Sequence, residues 1–547
     1  MRRYWIPFGL LLSMTPVVSP ALAAPSHESV KEAMRRAAKF FVENVAHQGG
    51  YQGVYSEDLS YAKAGKGSEG LNQFSVTGGT TPAVGYAYLR AWEVTGEDLY
   101  LDAARDAASG LIKGQMCSGG WDYTTELDPE KRAAGYHYRA DGECPAVPLE
   151  GRKNLTNLDN NSTQMALRFI MRLDRALGFK DRPIHEATRY ALDSLVAAQY
   201  PNGAWPQRYD RVPDPALFSV RPPRIPETWS RQWPGKEFYP HYTINDDVML
   251  NSIDALLEAS RIYGNPAYQA AAEKAGDFMI LAQFPEPQPG WAQQYNVNME
   301  PAWGRIFEPP GITGRESLSV MRTLLFLYRE TGKKKYLEPI PRALAWLRRS
   351  AFEHKGRKFI ARFFESKTNK PLFVTKGTLV GTGVHFGRPT DGYEVTYDPS
   401  APAAHYGYFG GVESIEHTQQ EYDRVRAADP ASLKRVYPVE TLGVGMGTPP
   451  PSPSAAELAP RVETALASLN ARGAWVVTGP MEGPGRLVRV RAAQNLVAVI
   501  DGEKIIPIPD GSTLEVFEGT EPPRGGQIHS GHFAGNLGLF CDYLKAP

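Results

Sequence analysis

The chain repeats itself, and the repeat limits what it can fold into. Gln115, Gln199 and Gln283 follow one another at 84-residue intervals, and each leads into a turn that ends in tryptophan: Gly119-Gly120-Trp121, Gly203-Ala204-Trp205 and Gly290-Trp291. Ahead of each glutamine lie two apolar-periodic stretches separated by a glycine, at Gly96, Gly178 and Gly264. A looser fourth copy runs from Gly314 through Gly332 and Tyr336 to Trp346. Met165, Phe169, Leu173 and Leu177 fall at i+4 steps, and Met249, Ile253, Leu256 and Leu257 share one helical face, so each unit reads as a helical hairpin. The separating glycines suit C-cap positions. A hairpin with two apolar faces cannot bury both alone, so neighbouring units must stack. The expected fold is mainly α, an (α/α) toroid of repeated helical hairpins with a small C-terminal β-containing subdomain; an extended solenoid is the alternative. The starts of successive inner helices, and the loops before them, should then line one rim of a central groove.

Around these repeats the composition changes. Arg2 and Arg3 precede an apolar run from Trp5 to Val18 and a small-x-small site at Ala21-Leu22-Ala23, the pattern of a secretory signal over residues 1–23. The mature chain is therefore expected to be exported, periplasmic or secreted, with the toroid over 24–400 and an extension over 401–547. That extension holds a Pro/Ser-rich stretch, Thr448 to Pro453, and two strand-like runs, Leu487–Val490 and Leu496–Ile500. The segment Val212–His241 carries seven prolines and reads as an ordered loop insertion beside the groove. Lys+Arg and Asp+Glu both number 60, so net charge is zero, which argues against nucleic acid or an anionic membrane as the main partner. A local basic patch for an anionic substrate remains compatible with that balance. Of three cysteines, Cys117 and Cys144 could pair in an exported chain; with Cys541 they form neither a disulfide framework nor a zinc motif.

Three polar clusters stand just ahead of inner helices: Asp159-Asn160-Asn161, Asn245-Asp246-Asp247, and the loop from Pro301 through Arg305 and Glu308 to Gly314. Asp and Asn cap helix N-termini, which accounts for either acid cluster alone. Acids at equivalent places in two units, beside an arginine loop, also suit a hard cation, since Ca2+ takes carboxylate and amide oxygens. Asp159 with Asp246 or Asp247 would supply part of such a shell. Trp121 reads as core. Trp205 sits among turn formers in Pro201-Asn202-Gly203-Ala204-Trp205-Pro206-Gln207 and is expected to stack on a sugar ring.

Five segments in order carry a resemblance: Leu158 to Thr163, Ala198 to Gln207, Tyr242 to Met249, Pro301-Ala302-Trp303-Gly304-Arg305-Ile306-Phe307-Glu308, and Ala361-Arg362-Phe363-Phe364. Together they resemble family 10 of the polysaccharide lyases, the pectic acid (pectate) lyases, over roughly residues 155 to 380. The resemblance implies a calcium-dependent enzyme that cleaves polygalacturonate by β-elimination. It places the catalytic base at Arg305, calcium ligands at Asp159 and Asp246, and basic substrate contacts at Arg362 and Lys376; beside these, Asp247 is a candidate metal ligand and Asn245 a candidate substrate contact. Two departures stand out. The family usually has a small non-glycine residue where Gly304 stands, and its loop after the second unit is usually shorter than Val212–His241.

Other classes compete with this reading. The spacing from Gln115 to Trp121 and from Gln199 to Trp205 also matches a triterpene cyclase signature, but the Asp-x-Asp-Asp acid of those enzymes is absent. An inverting glycosidase using Asp159 and Asp247, and a non-catalytic oligosaccharide-binding protein, remain alternatives from the residues alone.

Overall fold

The computed structural model describes residues 24–64, 68–145, 148, 150–376, 383–385, 388–389, 393–400, 409–435, 453–480, 487–492, 495–499, 506–507, 513–517 and 524–547. The expected signal segment 1–23 and residues 448–452 of the Pro/Ser-rich stretch lie outside the described residues. Among the described residues α1 (His27–Phe40) comes first, and α2 (Thr81–Thr95) then pairs with α3 (Asp98–Gly114). After a short α4 (Pro129–Gly135) come α5 (Ser162–Ala176) with α6 (Arg182–Ala197), α7 (Val248–Tyr263) with α8 (Pro266–Leu281), and α9 (Gly314–Thr331) with α10 (Ile340–Ser350). Gly96, Gly264 and Gly332 end α2, α7 and α9 in the left-handed conformation that spares glycine a Cβ clash. The inner helices α2, α5 and α7 lie side by side, and the hairpins curl into an (α/α) toroid.

The 84-residue period has a physical cause. Gln115 Nε2 donates to Gly119 O in its own turn and to Ala187 O of α6, both at 2.9 Å. Gln199 repeats this with Gly203 O and Ala271 O of α8, and Gln283 with Pro289 O and Pro339 O ahead of α10. One buried amide thus closes a turn and ties its unit to the next outer helix. Trp121, Trp205 and Trp291 are wholly buried beside it, and each indole N–H donates to a carbonyl of the preceding outer helix: Leu111, Leu195 and Met279. Facing helices are also joined by charge. Arg168 and Arg172 of α5 pair with Asp254 and Glu258 of α7, all buried. Arg435 pairs with both Asp254 and Glu330 of α9, giving the buried acids more than one cation.

The hairpin pattern continues beyond residue 400. α11 (Glu413–Ala427) packs on α9 and α10, and α12 (Pro430–Leu433) on α9. α13 (Ala455–Ser468) runs into Gly473-Ala474-Trp475, where the indole donates to Ala465 O as in the other units. The sequence reading missed this copy because Leu469 stands where the others have glutamine. α14 (Ser530–Lys545) packs on α13, α1 and α2, and the strand leading into it, Arg524–His529, pairs antiparallel with Val54–Ser56. Phe533 stacks on Phe41 with ring centroids 3.8 Å apart, Arg90 pairs with Asp542, and Tyr543 OH donates to Pro25 O. A helix from each end of the chain thus joins the ring side by side, with no loop between them. The expected C-terminal β-structure is present as well: Leu487–Ala492 lies between Asn495–Val499 and Thr513–Phe517 in an antiparallel sheet. Cys117 and Cys144 form a disulfide, and Cys541 is a buried free thiol.

Phe533 therefore joins the two chain ends as well as filling core. Phe533→Ala should cost about 3–5 kcal/mol of unfolding free energy, measured by urea denaturation. A loss under about 1 kcal/mol would mean that this seam contributes little to closing the ring.

Candidate active site

Short strands build the rim on which the inner helices start. The residues after each repeat tryptophan leave the turn extended and pair with the strand that enters a neighbouring inner helix. Thr156-Asn157 pairs with Arg208-Tyr209, and Tyr242-Thr243 with Gln294-Tyr295. The chain then turns sharply into α5 and α7. Asn160 and Asn161 have φ of 52° and 61°, and Asp246 and Asp247 have 52° and 56°. Two successive left-handed residues are costly for most side chains, and Asn and Asp tolerate them best. This demand explains the polar triplets and fixes their correspondence: Asn160 matches Asp246, and Asn161 matches Asp247. Asp159 and Asp246 thus occupy different steps of the same turn.

Asp159 and Asp246 nevertheless come together. Burial, then the adjacent Asp159 carboxylate, pushes the Asp246 carboxyl up to about 7, although the Arg305 charge opposes the shift. Asp159 is itself buried; its Oδ2 accepts from Tyr123 OH, while Oδ1 accepts no hydrogen bond. Tyr123 OH also accepts from Asn160 Nδ2 at 3.0 Å. Asp247 is directed elsewhere, for its Oδ1 accepts from Ser319 Oγ on α9. Among the described residues, no group of three or more His, Cys, Asp or Glu side chains is placed to hold a metal. The structure thus brings the Asp159 and Asp246 carboxyls together and turns Asp247 toward Ser319 of α9.

Arg305 faces this pair. Its Nε and Nη2 donate to the two oxygens of Glu308 at 3.0 and 2.9 Å, and its backbone N–H donates to Oε2 at 2.7 Å. Burial disfavours the Glu308 charge, but the Arg305 charge and hydrogen bonds outweigh it and hold the carboxyl down at about 2. Gly304 makes this arrangement possible: a Cβ there would meet Glu308 Oε2 at 2.5 Å and Gln294 Nε2 at 2.7 Å. The insertion covers the same loop. Trp233 Nε1 donates to Gly304 O at 3.0 Å, and Trp303 Nε1 donates to Ser230 O at 2.9 Å. Trp233 also packs in a small core with Ile306, Phe307 and Phe363.

The remaining expected site residues divide. Arg362 is buried and donates to Glu316 at 2.9 Å, Gln293 at 3.2 Å and Asn245 at 3.4 Å. Asn245 is buried too, and its amide spans from Arg362 to Asp246 Oδ2, which makes it a positioning residue rather than a sugar contact. Trp205 has no exposed face, so the expected sugar stacking does not hold; its ring fills the hairpin core as those of Trp121 and Trp291 do. Lys376 ends the strand Pro371–Lys376, and its side chain lies outside the described residues. Sequence reasoning missed Tyr123, Gln207 and Gln293. Each stands two residues after a repeat tryptophan and is buried along the rim, a register the repeat itself could have given.

Comparison with known proteins adds to this geometry. Residues 134–358 match the sequence model of pectic acid lyases. No curated protein matches the chain. Among solved structures, the family 10 polysaccharide lyase from Cellvibrio cellulosa aligns at 18% identity and a TM-score of 0.39, covering 62% of this chain and 97% of that one. A mutant of that enzyme in complex with trigalacturonic acid aligns at 17% identity and a TM-score of 0.38, covering 62% and 98%. The GH76 α-mannanase from Bacteroides thetaiotaomicron aligns at 10% identity and 0.35, covering 94% and 95%. Over residues 134–358, which include the Asp159, Asp246 and Arg305 segments, the chain is similar to the pectic acid lyases.

Proposed function

We propose that this protein is an exported pectate lyase that cleaves polygalacturonate by calcium-assisted β-elimination. The observation that carries the reading is the buried Asp159–Asp246 carboxyl pair facing the Arg305–Glu308 pair, within the segment that matches the family. The residues fit a hard cation. Two adjacent carboxyls relieve their repulsion by sharing either a proton or a cation, Asp159 Oδ1 lacks a donor, and the Asn161 Oδ1 amide oxygen is likewise buried without one. Calcium held there would stabilise the negative charge that develops on a uronate carboxylate when the neighbouring carbon loses its proton. Arg305 takes that C5 proton, the C5–H electron pair forms the C4–C5 double bond, and the C4–oxygen bond breaks with its electron pair leaving on the glycosidic oxygen, which takes a proton from solvent; no water adds to the sugar. Glu308 fixes the guanidine plane by its bidentate contact. Arg362, anchored by Glu316, directs positive charge to a neighbouring uronate, a role proposed for Lys376 as well. The Cys117–Cys144 disulfide supports an oxidising destination, as export requires.

One observation favours a second reading. A carboxyl pushed up to about 7 beside a second carboxyl is the arrangement of a glycosidase acid, with Asp246 as donor. The unsaturated product of a lyase absorbs in the ultraviolet and a hydrolase product does not. Purified mature protein on polygalacturonate with calcium should generate that absorbance and lose it in chelator; new reducing ends without absorbance would establish the hydrolase instead. Rates should also fall as methyl esterification rises, because esters remove the charge that Arg362 and calcium hold.

Base catalysis by Arg305 needs a neutral guanidine, a form that becomes commoner as pH rises. Activity should climb toward alkaline pH, and Arg305→Lys should lose at least about 100-fold in kcat while binding oligogalacturonate with similar affinity. Near-normal turnover of Arg305→Lys at every pH would remove it from proton transfer.

Metal binding can be tested apart from activity. Asp246 titrates at about 7 in the folded protein, against about 4 when unfolded. The folded state therefore holds this proton more tightly, and that contribution to stability is lost as pH rises through about 7. Calcium needs both carboxylates ionised, so it competes with the proton. The rise in Tm on adding calcium should be larger at pH ~8 than at pH ~5.5, and absent in Asp159→Ala and Asp246→Ala. A calcium shift independent of pH, or kept in both variants, would place the metal elsewhere.

A further inference from the structure

A cavity of about 360 Å³ opens between the first turns of α9 and α11. It is lined by Arg315 and Arg322 on α9, Arg362 on the adjoining sheet, and Ser414, His417 and Thr418 on α11. The described lining holds no carboxylate. Arg315 and Arg322 are exposed at its mouth and have no hydrogen-bonded or ion-paired partner among the described residues, whereas Arg362 is buried at its base. Glu413, at the first turn of α11, folds back over Gly411. Among the described residues no side chain caps the start of α11, and Glu413 and Glu416 occupy its first turn, outside the cavity lining. Arg362 is shared with the proposed reaction centre, since its guanidinium also reaches Asn245, the neighbour of Asp246. α11 lies beyond the segment that matches the family.

We propose that this cavity is an anion subsite that takes a carboxylate of an acidic saccharide chain, away from the cleaved bond. The inference rests on the proposed uronate substrate. Arg315 and Arg322 meet no partner among the described residues and no carboxylate in the described lining, and a planar carboxylate matches the guanidinium fork. The volume falls in the usual range for small-ligand sites, roughly 300–1,000 Å³. A chain running from Asp159–Asp246 past Arg362 would bring a further uronate to Arg315 and Arg322.

The test uses hexagalacturonate as probe, with binding measured by calorimetry and product by ultraviolet absorbance, on the full mature protein, R322Q and R315Q/R322Q. Each substitution should weaken hexagalacturonate binding and raise KM on polygalacturonate by about tenfold, with kcat within about twofold. Hexagalacturonate affinity unchanged in the double variant would overturn the subsite while leaving the lyase reading intact. A fall in kcat with unchanged KM would also overturn it, by placing these arginines at the reacting atoms. Wild-type binding that depends on both arginines but gives no unsaturated product would support the subsite and sink the lyase reading. No wild-type binding at all would remove both.

Discussion

A single buried amide, repeated, underlies the architecture. Gln115, Gln199 and Gln283 each offer two N–H groups, and each spends one on its own turn and the other on the next outer helix. A side chain with one donor could close the turn or bind the neighbour, but not both. Losing the amide would remove both bonds at once, opening the turn and untying it from the next outer helix, whose carbonyl keeps only its backbone partner, as Pro339 O does with Ala343 N–H. The tryptophan indole beside each glutamine sets the distance from turn to outer helix. Stacking is therefore specified by directional bonds as well as by apolar area, and the inner helices are forced to start at the same level.

That common level makes a site possible. Each inner helix begins after a strained polar turn, and the strain is tolerated because short strands on both sides hold the rim. The left-handed pair lets Asp159 and Asp246 approach from different steps of equivalent turns. Neighbouring charges then take opposite electrostatic roles: Glu308 is ionised by its arginine, while Asp246 resists ionisation beside Asp159. The contrast arises from partners, since both groups are buried.

Much of the fold was legible because its cause is periodic. The hairpins, their glycine caps and the shared rim follow from spacing, and the C-terminal strands from β-branched runs. The α13 unit escaped because leucine, at Leu469, replaced glutamine, although the Gly-Ala-Trp turn survived. Of the site, Asp159, Asp246 and Arg305 are brought together as their places in the repeat implied. Trp205 misled because its loop is rich in turn formers, which says that the backbone bends and nothing about which way the ring faces. Pairings such as Asp247 with Ser319, or Arg362 with Glu316, join residues distant in sequence and leave no local pattern to read.

The side-by-side packing of α1 and α14 also has a kinetic consequence. Tyr543 and Pro25, which touch across that seam, are 518 positions apart. Contacts of such separation form late, because the chain between them must first be ordered. An unfinished ring leaves the apolar side of α2 uncovered until α14 arrives. That seam therefore stays open through most of synthesis, and the uncovered face exposes the chain to aggregation until α14 packs.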